Sequence, residues 1–178
     1  MKICAVTGHQ GSRFRFKYKD SNNGCKRLKR RMQEQFTALY EEGVRQFWIG
    51  GGLGVDIWAG EILLRLKEQP AYSEIELKVA LPFKGYDAKW DDRSKLRMTF
   101  LTKHSSETII VCTENFPPAA CYRKRDRYLV DQADCLLAVY DNDRTVHNGV
   151  GSTVLLAEQK NIPILLIHPD TGIVTKDW

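Results

Sequence analysis

Short apolar runs alternate with amphipathic stretches along the whole chain, and this alternation restricts the fold more than any single motif. Residues 2–6, 46–49, 75–81, 108–112, 134–140 and 162–168 are apolar runs of strand length. Such runs are expected where a strand is buried on both faces. Between them, residues 24–42, 57–67, 94–103, 119–132 and 150–160 carry apolar side chains at spacings of three and four, which predicts helices. Leu28, Met32, Phe36, Leu39 and Tyr40 form the expected inward face of the first helix, and Trp58, Ile62, Leu63 and Leu66 that of the second. In the third helix Leu96, Phe100 and Leu101 are expected inward. Strands alternating with helices predict one doubly wound, mainly parallel α/β sheet with helices on both faces. The 178 residues are expected to form a single domain, 1–178. Residues 10–23, where Phe14, Phe16 and Tyr18 interleave with basic residues, read as a loop over a site or a short edge strand, and residues 169–178 as a tail.

In such a sheet the strand-to-helix loops share one edge, and ligands bind there, beyond the strand C-termini. Three of these loops are chemically unusual. The first strand ends in Thr7-Gly8-His9. The second runs into Gly50-Gly51-Gly52-Leu53-Gly54-Val55-Asp56. The fifth leads to Asn148-Gly149-Val150-Gly151-Ser152-Thr153 at the start of a helix. Glycines let backbone approach an anion, and a helix N-terminus turns free N–H groups toward it. The glycine loop is not the dinucleotide pattern, because Val55, Asp56 and Ile57 follow Gly54, and it is not a P-loop, because no Lys-Ser/Thr pair follows. Ser152 and Thr153 add hydroxyls, while Arg125 and Arg127 bring cations with bidentate geometry for phosphate. His9 is placed to contact a ligand or to move a proton. The plainer alternatives are an ordinary glycine turn with Asp56 as N-cap, a Ser/Thr cap on the later helix, and a solvated basic face.

Composition bounds the rest. Apolar content of 43% with 28% charged residues is that of a soluble globular protein. No apolar run approaches the ~18 residues of a membrane span. Lys2 leads directly into Ile3-Cys4-Ala5-Val6, too short for a signal-peptide core, so a cytoplasmic location is expected. Cys4, Cys25, Cys112, Cys121 and Cys135 are odd in number and contain no C-x-x-C, which argues against a disulfide framework or a zinc site. His104, His147 and His168 have no metal spacing, and neither a metal nor a cofactor is expected. The net charge of +5 permits an anionic ligand or nucleic acid. The Lys26–Arg31 cluster is a solvated face or a site for an acidic partner. The segment from Arg13 to Lys19 suits either base stacking on single-stranded nucleic acid or a half-buried strand.

An ordered set of these stretches resembles the YpsA-like family of bacterial proteins, in the SLOG (Smf/DprA–LOG) superfamily. The set is Thr7-Gly8-His9, Gly51-Gly52-Leu53-Gly54-Val55-Asp56, Pro82-Phe83, Arg125-Asp126-Arg127-Tyr128, and Val130-Asp131-Gln132-Ala133-Asp134 running into Leu136-Leu137-Ala138-Val139-Tyr140-Asp141. The resemblance covers nearly the whole chain. It implies a Rossmann-like fold that binds a nucleotide or nucleotide-derived ligand, such as a nucleotide sugar or ADP-ribose-like molecule, as a sensor or regulatory module. Gly51, Gly52, Gly54, Gly149, Gly151, Ser152 and Thr153 would cradle the ligand. Thr7, Gly8 and His9 would flank it, with Asp56 near the ribose and Arg125 near the phosphate. The LOG branch cleaves cytokinin nucleotides with an arginine, which Arg125 matches, and a glutamate in a G-T-x-x-E motif. Here Leu155 stands at the glutamate position and Glu158 lies one turn further on, so no catalytic residue is assigned; Asp56 or Glu61 would have to stand in. DprA-like relatives bind single-stranded DNA, which makes nucleic acid the secondary partner. Rossmann-like SLOG proteins often pair, so a homodimer is a possible assembly.

Overall fold

A computed structural model of the protein describes residues 1–177; Trp178, the last residue of the expected tail, lies outside the described residues. The elements run β1 (Lys2–Gly8), α1 (Asn23–Glu41), β2 (Val44–Ile49), α2 (Val55–Lys67), β3 (Glu76–Phe83), α3 (Asp92–His104), β4 (Glu107–Cys112), α4 (Pro118–Gln132), β5 (Cys135–Val139), α5 (Gly149–Lys160), β6 (Ile164–Ile167) and β7 (Val174–Asp177). They build one sheet of order β4-β3-β2-β1-β5-β6-β7, parallel except for β7, which pairs antiparallel with β6. This is the Rossmann-like α/β arrangement expected from the alternation. The strand order reverses between β1 and β5, so a crevice opens beyond their C-terminal ends.

The two-residue period of the strands divides the core into two layers. Cys4 and Val6, Phe47 and Ile49, and Leu137 and Val139 face the cluster formed with α1, α2 and α3. Ala5, Trp48, Leu136 and Ala138 face the cluster formed with α4 and α5. Leu28, Met32, Phe36, Leu39 and Tyr40 of α1 and Trp58, Ile62, Leu63 and Leu66 of α2 are buried, as their spacing predicts. Asn22, Asp91 and Asn148 cap α1, α3 and α5, each accepting a backbone N–H from the first turn. No helix among the described residues is long and apolar enough to cross a membrane.

Three expectations need correction. In α3, Leu101 and Met98 are buried, but Leu96 is 70% exposed and Phe100 52% exposed. The helix is rotated because Arg97 faces inward, donating to Glu61 at 2.6 Å and to Asp20 at 2.7 Å. Residues 10–23 form no edge strand. A single 3-10 turn at Gly11–Arg13 precedes Phe14, which stacks on Phe16 at 4.9 Å, and both rings rest on Trp58. Asp20, bonded to Lys29 at 3.1 Å and to Arg97, fastens the end of this segment to the α1–α3 layer. The expected tail supplies β7.

The other layer has its own fastening. The Lys160 ammonium, at the end of α5, donates to the carbonyls of Val130, Asp131 and Ala133 at 2.8, 2.8 and 2.9 Å. These carbonyls lie at and just past the C-terminus of α4, where the helical ladder runs out; that of Val130 also accepts the capping Ala133 N–H at 3.1 Å. Lys160→Met should lower the unfolding free energy by about 1–3 kcal/mol in urea denaturation. A loss below about 0.5 kcal/mol, the size of an ordinary surface change, would show that the three bonds add nothing over water.

Candidate functional site

At the reversal point the first turn of α2 rests on the end of β1. A Cβ on Gly8 would lie 2.5 Å from the Val55 side chain, so no larger residue fits there. Gly54, at φ +78°, has no room either: a Cβ would lie 2.7 Å from the Gly11 nitrogen and from the His9 carbonyl oxygen. Val55 N–H donates to that carbonyl at 3.3 Å.

The glycine loop between β2 and α2 is organised around a carboxylate of the chain itself. Asp56 turns back and accepts the Gly52 N–H at 2.8 Å, and the Gly50 amide also faces it. Asp56 is buried, and burial pushes its pKa up to about 6 against the opposing pull of Arg125 and the two amides. Arg125 reaches the loop from α4: its Nη1 donates to the Gly50 carbonyl and its Nε to Asp126 at 2.7 Å. Tyr86 secures the other side by donating to the Gly51 carbonyl at 2.7 Å. Burial also raises the pKa of Asp126, and Arg125 opposes the shift.

The wall opposite is the first turn of α5. The Asn148 side chain accepts the Gly151 N–H at 2.7 Å, while Gly149 and Val150 border the cleft. Backbone N–H groups in a first turn have no acceptor within their own helix. The hydroxyls of Ser152 and Thr153 donate backward, to the Asn148 and Gly149 carbonyls at 3.1 and 3.0 Å. The rim is formed by residues 9–13. Arg13 donates to Asp141 at 2.8 Å and to Asp170 at 3.2 Å, joining the loops that follow β1, β5 and β6. His9 is buried between Phe14 and Tyr140, and its Nε2 has no hydrogen-bond partner among the described residues. Burial, aided by Arg13 and opposed by Asp141 and Asp170, holds its pKa below the ordinary value, so the ring is neutral at neutral pH.

These walls enclose a cleft of about 330 Å³. Of the residues expected at a site, it gathers Thr7, Gly8, His9, Gly52, Asp56, Arg125 and Gly149. Gly51 and Gly54 lie behind it as turning points of the loop, and Thr153 is buried. Gly151 and Ser152 border a separate depression on the outer side of α5. Gln10, Ser12, Arg13, Asp126 and Asn148 also border the cleft without having been expected as ligand contacts. Asp126 is adjacent to Arg125 and Asn148 precedes Gly149, so both had a local signal, whereas Arg13 had only its charge. Leu155, at the glutamate position of the LOG motif, is half-exposed on the outer side of α5. Glu158 is paired with Arg144 at 2.6 Å and Glu61 with Arg97, so Asp56 and Asp126 are the acidic side chains bordering the cleft. No group of three or more His, Cys, Asp or Glu placed to hold a metal occurs among the described residues.

Two measurements follow from this geometry. Gly54→Ala should cost about 2 kcal/mol or more, since both the backbone conformation and the Gly11 and His9 backbone exclude a Cβ; an unchanged urea midpoint would contradict the tight turn. For Asp56 the folded carboxyl, at about 6, binds its proton more tightly than the ordinary carboxyl at 3.8, so this group makes stability fall as pH rises from about 4 to about 6. Asp56→Asn removes that penalty. Across this window the stability difference should move in favour of the variant by about 2–3 kcal/mol. A difference that stays flat with pH would mean that the carboxyl titrates as an exposed one.

The cleft can be set beside known proteins. The family model described as "YspA SLOG family" (YpsA) matches residues 4–171. A UPF0398 protein of Halalkalibacterium halodurans is 29% identical over 144 residues, covering 81% of this chain and 75% of its own. A UPF0398 protein of Bacillus pumilus is 28% identical over 173 residues, covering 96% of this chain and 89% of its own. One from Bacillus thuringiensis is 25% identical over 144 residues, 81% of this chain and 77% of its own. The family match spans both glycine turns, Arg125 and the end of β1, and the chain therefore belongs to the YpsA family of SLOG proteins.

Proposed function

We propose that the cleft binds a nucleotide or nucleotide-derived ligand, of the nucleotide-sugar or ADP-ribose type, and that residues 1–178 act around it as one sensor or regulatory domain in the cytoplasm. The observation that carries this reading is the pairing of unlike polarities in one crevice. Buried Asp56 and half-buried Asp126 stand on one side; the open first turn of α5 and Arg13 stand on the other. Carboxylates accept hydrogen bonds from ribose hydroxyls, and a helix N-terminus with an arginine suits phosphate. Membership of the SLOG family supports a nucleotide-related role.

In this reading the sugar lies against Asp56 and the phosphate against Gly149, Val150 and Arg13. Gly8 keeps the approach open, Thr7 and His9 flank the ligand, and Gly52 holds Asp56. Arg125 acts from beneath, neutralising the two carboxylates and holding the Gly50 carbonyl, and so contributes less to phosphate than its charge suggests. Gly51 and Gly54 shape the loop, and Gly151, Ser152 and Thr153 shape the α5 turn from behind. Pairing into a homodimer belongs to the same proposal. A volume of about 330 Å³ is at the small end for ligand sites, which suits one nucleoside moiety enclosed with the remainder extending toward solvent.

A second reading, cleavage of the nucleotide to a free base, is favoured by Asp56, whose pKa of about 6 suits proton transfer near neutral pH. Single-stranded nucleic acid draws less support, because Phe14 and Phe16 face Trp58 and leave Tyr18 as the exposed ring of that segment.

Thermal unfolding against nucleoside monophosphates, ADP-ribose and nucleotide sugars tests the proposal. A ligand at ~100 times its Kd should add about 2.7 kcal/mol of stability, an increment lost in Arg13→Ala and Asp56→Ala. Free base appearing in the same samples would establish turnover. No stabilisation of the folded wild-type protein by any of these ligands would overturn the nucleotide reading.

A further inference from the structure

A depression lies away from the cleft, between α4 and α5 on the outer face of their layer. It has a volume of about 500 Å³. Its apolar floor is Leu155 and Leu156 with Ala120, and its rim is Arg123, Lys124 and Arg127 of α4. A second depression of about 160 Å³ shares Ser152 and Leu155 with it and extends the apolar surface to Val146. Leu155 is 48% exposed and Val146 55% exposed. The three rim cations make no salt bridge among the described residues, while the nearby acids are engaged, Asp126 by Arg125 and Glu158 by Arg144.

An apolar trough between two helices, lined on one bank by Arg123 and Arg127 without carboxylate partners and by Lys124, whose ammonium lies 3.6 Å over the Phe116 ring, matches one kind of occupant. We propose that the α4–α5 groove docks an acidic amphipathic helix of a partner protein. Leucine-like side chains of the incoming helix cover Leu155 and Leu156, and its carboxylates meet Arg123, Lys124 and Arg127. A second copy of this chain fits less well, because a two-fold contact across the groove would set the cationic α4 bank against the copy's α5 bank, where Ser152 and Gln159 are uncharged and Glu158 is held by Arg144. Nucleic acid would satisfy the cations but leave the aliphatic floor uncovered. The groove borders Asp126, which also borders the cleft, so the docked helix would lie one side chain away from the proposed ligand site without depending on it.

The test uses the full chain and a fluorescein-labelled helical peptide of ~20 residues, long enough to hold helix in isolation, with leucines on one face and glutamates on the other. Fluorescence anisotropy should give saturable binding. Leu155→Glu and the double variant Arg123→Glu/Arg127→Glu should each weaken it about tenfold or more. Leu96→Glu, on the opposite layer, should leave it unchanged, and circular dichroism melts should show all three variants folded. Absence of saturable binding, or equal binding by the groove variants, overturns the proposal. So does an oligothymidylate that binds more tightly than the peptide and is lost in the same variants, which would assign the groove to nucleic acid. A dimer in sedimentation velocity that Leu155→Glu dissolves would assign it to a second copy and overturn the proposal equally.

Discussion

The structure depends on the contact between the first turn of α2 and the end of β1. The Val55 side chain sits directly on Gly8, and the backbone of residues 9–11 lies directly on Gly54, with no room for a further carbon at either glycine. That closeness sets the height of the glycine loop above the sheet, and the loop in turn fixes where Asp56 enters the crevice. Close packing in protein interiors leaves no slack for a methyl group at such a junction. The rest of the cleft is assembled from the opposite layer, with α4 contributing Arg125 and α5 its first turn. The site is thus built where the two helical layers meet over the edge of the sheet, and neither layer contains it alone.

Its electrostatics follow from the same geometry. A glycine turn leading into a helix is usually a place for an external anion. In this protein the Gly52 amide is bonded to Asp56 and the Gly50 amide faces it, so the anion is internal. Burying that carboxylate is costly, and the amides together with Arg125 offset only part of the cost, which is why its pKa is raised. The consequence is a division of the crevice: the glycine loop presents an acceptor, and the α5 turn presents donors.

Much of the fold was legible because its signals are local and periodic. β1, β2 and β5 are apolar on both faces, and the inward faces of α1 and α2 have regular spacing. What was not legible depended on distant partners. The rotation of α3 comes from Arg97 meeting Glu61 and Asp20, and nothing in the spacing of Leu96 and Phe100 reports it. β7 is an exposed edge strand of Val174-Thr175-Lys176-Asp177, too polar for an apolar-run criterion. In the site, Thr7-Gly8-His9 and the two glycine turns were visible as motifs. The direction in which their atoms point was not: Ser152 and Thr153 look like anion donors in sequence but bond their own helix. Arg13 belongs to the site through carboxylates 128 and 157 residues away, a separation no local pattern can express.

The position of β1 in the sheet also bears on how the protein is made. β1 leaves the ribosome before the other strands of this sheet, and it pairs on one side with β2 and on the other with β5. The β2 partner, Val44–Ile49, follows soon, but Cys135–Val139 comes after three more helices and two more strands. At ordinary elongation rates that gap lasts about 5–20 s. Any sheet formed from β1–β4 in this interval would carry β1 as an open edge of apolar residues, the kind of surface that pairs with other chains. Completing the crevice and covering the edge are therefore one event, the arrival of β5 beside β1, and a truncated product ending before β5 would have neither a finished site nor a protected sheet.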